Sequence, residues 1–502
     1  MTQIDHLGFL ARDAVRLHPG RPALLQDDEV LSYGALDDRA NRVAGWLAGR
    51  GVAPGRRVAL LWLNDVRYVE ALLGIMRAGA VAVPLNTRQN DETLVYVLAD
   101  AGCVGILAGP SELDRARALA KSAGLAETLV AGPDELQQAA PLAAAPPHDP
   151  DAVCMQPYTS GSTGRPKGVP LTHRGQVWCA DIVRKCYLFD ETERALLAAP
   201  LFHKNAAMTL KAMLLAGGAC VVLPGFDPVG VIRAIDRFKI TYLSGVPAMY
   251  RMLLSETEEL QRCDVSSVRF ATAGSAPVTV DLLEDFQRVF GAPIAEGYGL
   301  TEGGPDVLLA PRWGINKLGS IGLPIPGCEV QLRGIDGLSQ VGAGEVGELW
   351  VRNPGVTPGY HGLPEVTAER IRDGWLATRD LMRRDSDGYY YFVGRADDLI
   401  NVAGENVYPK EVEQLLLRHP AVRDVAVVGG THPVKGTVPV AFVVLSKPGV
   451  ITAQELTSYF HDVGPHYAYP RLIEFVTELP LAGTGKIDRT ALQARASRLV
   501  EA

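Results

Sequence analysis

Cysteine is sparse and unpaired in spacing. The seven thiols, Cys103, Cys154, Cys179, Cys186, Cys220, Cys263 and Cys328, include no CxxC pair. Neither a zinc ribbon nor a disulfide framework is indicated, and most of these residues sit in apolar runs as reduced thiols do. The ten histidines form no HExxH pattern. Positive charge is not in excess: 49 Lys and Arg against 57 Asp and Glu leave a net charge of −8. That excludes an electrostatically driven nucleic-acid binder, but not a protein that holds one nucleotide through local donors. No run approaches the roughly 18 uninterrupted apolar residues of a membrane-crossing helix. The first residues show no basic segment followed by an apolar stretch, and Leu499-Val500-Glu501-Ala502 carries no retention or peroxisomal tag. Cytoplasm is therefore the expected compartment. Internal repeats and long low-complexity runs are also absent.

What is present is a chain of 502 residues, too long for one core. Its 52 Gly and 34 Pro suit many tight turns. Residues 58–63 read as a buried strand, 65–77 as a helix and 80–84 as the next strand. The alternation recurs over 219–223, 228–238 and 240–244, and again over 268–273, 279–290 and 294–296. Such repetition predicts an α/β class with layered subdomains and mostly parallel sheets. The Ala- and Pro-rich stretch 139–150 reads as a connector. Beyond about residue 341 short strands and turns take over, at 347–351 and 388–392. A smaller α+β segment follows, with helices at 409–419 and 453–460 and strands at 425–429 and 438–445. The expected domains are 1–396 and 397–502, with the boundary at Asp397.

The most informative segment follows a predicted strand at 152–157. It reads Tyr158-Thr159-Ser160-Gly161-Ser162-Thr163-Gly164-Arg165-Pro166-Lys167-Gly168. Three glycines allow a tight turn and close approach to a ligand. Four hydroxyls, backbone N–H groups and two cations supply donors for a polyphosphate. The spacing is not that of a Walker A loop. The segment resembles the phosphate-binding signature of the acyl-activating (adenylate-forming, AMP-binding) superfamily. That superfamily groups acyl-CoA synthetases, peptide-synthetase adenylation domains and luciferases. By this resemblance Thr159, Ser160, Gly161, Ser162, Thr163, Gly164 and Lys167 bind the nucleotide.

Four further blocks, at 297–302, 375–381, 394–409 and 479–489, resemble the same superfamily and occur in its order. Gly297-Tyr298-Gly299-Leu300-Thr301-Glu302 implies Tyr298 and Gly299 at adenine, Thr301 at the α-phosphate, and Glu302, with Thr163, at Mg2+. A carboxylate beside phosphate oxygens is what Mg2+ prefers. Gly274-Ser275-Ala276-Pro277 is similar to the adenine-side loop. In Trp375-Leu376-Ala377-Thr378-Arg379-Asp380-Leu381, the implied role of Asp380 is to accept both ribose hydroxyls. Arg379 stands where the family most often has glycine, and a positive φ there would strain an arginine. Gly394-Arg395-Ala396-Asp397 implies Arg395 at the nucleotide and Asp397 as hinge of a mobile C-terminal domain. Gly404-Glu405-Asn406 implies backbone lining a pantetheine tunnel at Gly404. Gly483-Thr484-Gly485-Lys486 implies Lys486 bridging the substrate carboxylate and the α-phosphate.

The resemblance, strongest to the acyl-CoA synthetase branch, spans the chain from Ser32 to Arg489. It implies ATP, Mg2+ and coenzyme A as cofactors and co-substrates, and a small carboxylic acid as substrate. The acid is activated as acyl-AMP and passed to the CoA thiol, with Lys486 serving the first half-reaction and the Gly404 segment the second. Pro200-Leu201-Phe202-His203-Lys204-Asn205-Ala206 resembles the entry to the acyl pocket and lacks the aspartate of amino-acid-activating domains. His203, Lys204, Ser244 and Gly303 are the expected pocket residues. His203 also fits a structural histidine, and Lys204 fits either a second anionic group on the acid or a solvated amine. Alkyl, dicarboxylic and aromatic acids stay open. Two other functions stay open too: transfer to a carrier-protein pantetheine, and a non-catalytic nucleotide-binding regulator on the same fold. A homodimer is expected only from the commonness of two-fold assemblies.

Overall fold

Local sequence explains most of the elements. The helix Val66–Arg77 begins at Asp65, whose carboxylate accepts the Arg67 N–H at 2.7 Å. The helix Pro228–Phe238 begins with Asp227 as cap and Pro at its first position, and ends on Lys239 in the left-handed region. The helix Val280–Phe290 stops at Gly291, φ +66°. The computed structural model describes residues 4–160, 165–274, 278–311, 315, 317–334, 337, 339–402, 405–432, 436–480 and 487–501. Within them, no helix is long and apolar enough to cross a membrane.

The chain forms two compact units, residues 1–330 with 350–378, and residues 331–349 with 379–502. The larger unit holds two large sheets. A six-stranded sheet has the order Leu171–Thr172, Val153–Met155, Val81–Pro84, Arg57–Leu61, Cys103–Ala108, Val130–Ala131. In a nine-stranded sheet, Ala219–Val222, Arg194–Leu197, Tyr242–Gly245, Phe270–Ala273 and Ile294–Leu300 lie side by side and parallel. Helices cover these strands, as buried parallel sheets require.

One strand outruns its sequence pattern. The periodicity predicts 294–296, but the strand continues to Leu300 because Gly304–Leu309 folds back against it, pairing Gly297 with Leu309 and Tyr298 with Leu308. The stretch 139–150 is irregular, as expected of a connector.

In the smaller unit, Val422–His432 and Gly436–Leu445 pair antiparallel, and Leu472–Phe475 adds a parallel strand. Alternate residues face opposite sides. Val425, Val427, Ala441 and Val443 meet Leu416 and Phe460 on one side. Ala426, Val428, Val440 and Phe442 meet Leu492 and Ala496 on the other.

Two polar clusters fasten the chain's first described segment. The buried Arg77 guanidinium donates to the Gly8 carbonyl at 2.7 Å and pairs with Asp37 at 2.8 Å. His6, His148 and His173, far apart in sequence, bring their ring nitrogens within 4.8 Å of one another. Nδ1 of His173 accepts the Leu7 N–H, and Nδ1 of His6 accepts the Gly8 N–H, each at 3.0 Å. The neutral rings therefore carry their protons on Nε2, the tautomer opposite to the one a metal at Nε2 needs. Burial lowers His6 to about 4 and His173 to about 3, helped by the neighbouring histidines.

These histidines bind protons more readily when unfolded, where the ordinary value is about 6.5. Their contribution to stability is complete above that value and is lost as pH falls toward about 4. Glu70 and Glu296, pushed up to about 7 by burial, act oppositely over the same window. The histidine contribution is therefore read as a difference. Wild type is expected to lose on the order of 3 kcal/mol relative to His173→Gln between pH 7 and pH 4. Denaturant titrations of both proteins at each pH measure it, and parallel curves would refute the buried neutral ring.

Candidate active site

The segment expected to bind phosphate starts and finishes in paired strands. Tyr158–Ser160 pairs antiparallel with Pro166–Gly168, placing Thr159 opposite Lys167 and Ser160 opposite Pro166. Gly161, Ser162, Thr163 and Gly164, which join the strands, lie outside the described residues. The paired strands are anchored from below. The Tyr158 hydroxyl donates to Asp100 at 2.6 Å, and buried Gln156 accepts from Arg57 at 2.8 Å. Arg165 leans over the Tyr96 ring, its guanidinium carbon 5.2 Å from the centroid.

Thr159 and Glu302 are 143 residues apart yet meet: the Thr159 hydroxyl donates to Glu302 Oε1 at 3.4 Å. Tyr360 donates to the same oxygen at 3.2 Å, and Lys167 Nζ lies 6.0 Å from the Tyr360 ring centre. The turn carrying Tyr360 is tied in by the Thr357 N–H to the Glu302 carbonyl at 2.8 Å, and by the Thr357 hydroxyl to Pro170 O at 2.6 Å. Both bonds fall on Oε1, and Oε2 has no hydrogen bond among the described residues. A half-buried carboxylate with one oxygen unspent, beside hydroxyls and a lysine, fits a divalent cation that also takes phosphate oxygens. Tyr360 was not foreseen from the sequence; only its Pro358-Gly359 turn marks the place. Thr301 lies half-buried in the turn next to Glu302.

The remaining candidates of the large unit gather at one edge of the parallel strands. Gly245 pairs with Ala273, and Ala273 with Glu296. Ser244, Gly274, Tyr298 and Gly299 thus sit at the carboxyl ends of adjacent strands, where open α/β sheets bind ligands. Ser275, Ala276 and Pro277 lie outside the described residues. Glu296 accepts the Val278 N–H at 3.3 Å, gripping the chain where that loop ends.

The segment bearing His203 and Lys204 follows the strand Arg194–Leu197 at this same edge. His203 is the residue before the helix Lys204–Ala216; its side chain caps nothing and its ring lies 5.1 Å from Phe202. Lys204 Nζ donates to the Gly299 carbonyl. Ser244 donates to Asn205 Oδ1 at 2.6 Å, and Tyr242 and Thr272 share a hydrogen bond of 2.7 Å. Gly303 is buried, and a Cβ there would come within 2.7 Å of Leu300, so it faces packed side chains. Asp306, also unforeseen, lies deep in the unit but keeps accessible surface. Burial raises its carboxyl to about 6, with Lys204 pulling in the other direction.

In the smaller unit Asp380 pairs across a ladder with Arg395. Their side chains form an ion pair of 3.2 Å, and Arg395 also reaches Asp397 at 3.6 Å. Asp380 is only 7% exposed. Arg379 adopts φ +64°, the conformation glycine would take at no cost. The strain, about 1–2 kcal/mol for a side-chain residue, is countered by its N–H donating to buried Glu348 at 2.8 Å. Ile400–Val402 and Glu405–Val407 pair antiparallel with Val402 opposite Glu405; Gly404 lies outside the described residues. Lys486 does too. Just past it, Arg489 is held by buried Glu413 at 2.6 Å and by Val427 O at 2.7 Å.

Residues 11–361 match the model of the AMP-binding enzyme family, and residues 411–486 that of the AMP-binding enzyme C-terminal domain. The chain is 39% identical over 489 residues to a feruloyl-CoA synthase of Amycolatopsis sp., covering 96% of this chain and 97% of that one. It is 31% identical over 529 residues to a long-chain-fatty-acid–CoA ligase of Yersinia pestis, covering 96% and 92%. Among solved structures, the anthranilate CoA ligase AuaEII in complex with anthranoyl-AMP superposes with a TM-score of 0.90 at 28% identity, covering 99% of this chain and 98% of that one.

Proposed function

The chain belongs to the AMP-binding enzyme family, and from that premise we propose that it activates an aromatic carboxylic acid in the cytoplasm. The enzyme is an AMP-forming acyl-CoA synthetase of the acyl-activating superfamily, using ATP, Mg2+ and coenzyme A. The acid's carboxylate attacks the α-phosphate of ATP and pyrophosphate leaves. The CoA thiol then attacks the acyl carbon, and AMP departs with the bond electrons. Little covalent work falls to side chains; positioning and charge dominate.

The residue roles are part of the proposal. Thr159, Lys167 and the Gly161–Gly164 stretch cradle the phosphates, and Thr301 contacts the α-phosphate. Tyr298, Gly299 and the 274–277 loop take the adenine, and Asp380 and Arg395 the ribose side. Glu302 and Thr163 would hold Mg2+, which when bound neutralises phosphate charge. Lys486 serves adenylate formation, and Gly404 lines the path of the thiol. Asp397 is the pivot between the half-reactions, at the boundary of domains 1–396 and 397–502. His203, Lys204, Ser244 and Gly303 belong to the acyl end. A homodimer is proposed on the frequency of such assemblies alone.

The aromatic reading is carried by the 39% identity, across nearly the whole of both chains, to a protein named for feruloyl-CoA. Pyrophosphate release with Mg·ATP, measured over straight-chain, dicarboxylic and aromatic acids with and without CoA, tests it. The expected result is CoA-stimulated release highest with aromatic acids and an aryl-CoA product by mass. Best turnover of a straight-chain acid would overturn the acid class, and release without CoA stimulation would point to a carrier-protein acceptor.

A further inference from the structure

At the carboxyl edge of the parallel strands and just below it, several polar side chains are already engaged. Ser244 is bound to Asn205, Tyr242 to Thr272, and Lys204 Nζ to the Gly299 carbonyl. Asp306 is the exception. It stands on the strand Gly304–Leu309, next to the nucleotide motif, and its Oδ1 would lie 3.9 Å from a Cβ built on Gly297. Among the described residues no hydrogen bond or ion pair reaches its carboxylate, although Lys204 acts on it through space. A carboxylate deep in a protein and left without donors is costly. It also retains accessible surface, so it is not sealed in packing. Such a group is an acceptor waiting for a donor.

The chemistry of that donor is constrained. A second carboxylate on the substrate would meet the negative charge of Asp306 and find Lys204 already engaged with Gly299. An alkyl end would leave the carboxylate unsatisfied. A neutral hydroxyl donates one hydrogen bond to a carboxylate without adding charge, and such bonds are among the stronger ones. An aromatic ring places that hydroxyl rigidly, at a fixed distance from the carboxyl group being activated.

We propose that Asp306 selects the acid, accepting a hydrogen bond from a phenolic hydroxyl on the ring of an aryl carboxylic acid. The assignment rests on the acyl-CoA synthetase reading and narrows it to ring-hydroxylated acids. Dicarboxylic and plain alkyl acids are disfavoured by the same carboxylate.

The test compares cinnamate, its 2-, 3- and 4-hydroxy isomers and 4-methoxycinnamate in wild type, Asp306→Asn and Asp306→Ala. In wild type, one hydroxy isomer is expected to exceed cinnamate in kcat/KM by on the order of 10–100-fold, because a site built for a hydroxyl rejects the analogue lacking it. The methoxy acid, which cannot donate, should fall with cinnamate. Asp306→Ala should bring the hydroxy-to-cinnamate ratio to within about 3-fold, and Asp306→Asn, still an acceptor, should retain part of it. The same ratios read as affinities by calorimetry do not require thioester formation. They separate failure of this assignment from failure of the ligase reading, and the wild-type series stands even if a variant folds poorly. A wild-type ratio near one for every isomer, or a ratio that survives Asp306→Ala, would overturn the proposal.

Discussion

Glu302→Gln is expected to lower kcat/KM for ATP by about 100-fold or more. Glutamine keeps the shape and retains an oxygen that can accept from Thr159 and Tyr360, the two donors on Oε1. What it removes is the negative charge on the oxygen left unspent. If that charge holds the divalent cation, the loss concentrates in ATP turnover and is partly relieved by raising Mg2+. Binding of AMP, which needs no cation, should shift by only about 3-fold. Steady-state kinetics over a magnesium series, with AMP affinity by calorimetry, separates the outcomes. An equal loss in AMP affinity would mean that Glu302 only braces the paired strands through Thr159. Tyr360→Phe removes one donor and no charge, so its effect should be much smaller.

Lys486→Ala is expected to slow adenylate formation by about 100–1,000-fold while changing CoA thioester formation from supplied acyl-AMP by less than about 5-fold. The reasoning is one of charge timing. In the proposed first half-reaction the amine would face a substrate carboxylate and an α-phosphate, where negative charge crowds as the bond forms. In the second the anhydride is already made and AMP leaves readily, so the amine has little to stabilise. Pyrophosphate exchange reports the first step, and single-turnover acyl transfer reports the second. Comparable losses in both would remove the assignment of separate residues to separate half-reactions, and with it the role proposed for Asp397.

The sequence alone determined a good deal of this protein. The family could be read directly from contiguous blocks: the glycine and hydroxyl run at 158–168, the hexapeptide at 297–302 and the heptapeptide at 375–381. The residues of each block are neighbours in the chain, so a resemblance carried by them is visible without the fold. Parallel α/β layering was legible for a similar reason, because amphipathic period and turn residues are local properties.

Tertiary structure alone decided the rest. Tyr360 joins Thr159 on one carboxylate oxygen although the three residues span some 200 positions of chain. The three histidines that fasten the first segment come from positions 6, 148 and 173. Arg379 tolerates a positive φ because Glu348, 31 residues away, accepts its N–H. Asp306 is singled out only by which of its neighbours are already paired. Hydrogen-bond partnership and burial depend on what the folded chain brings close, and residue spacing does not encode either one.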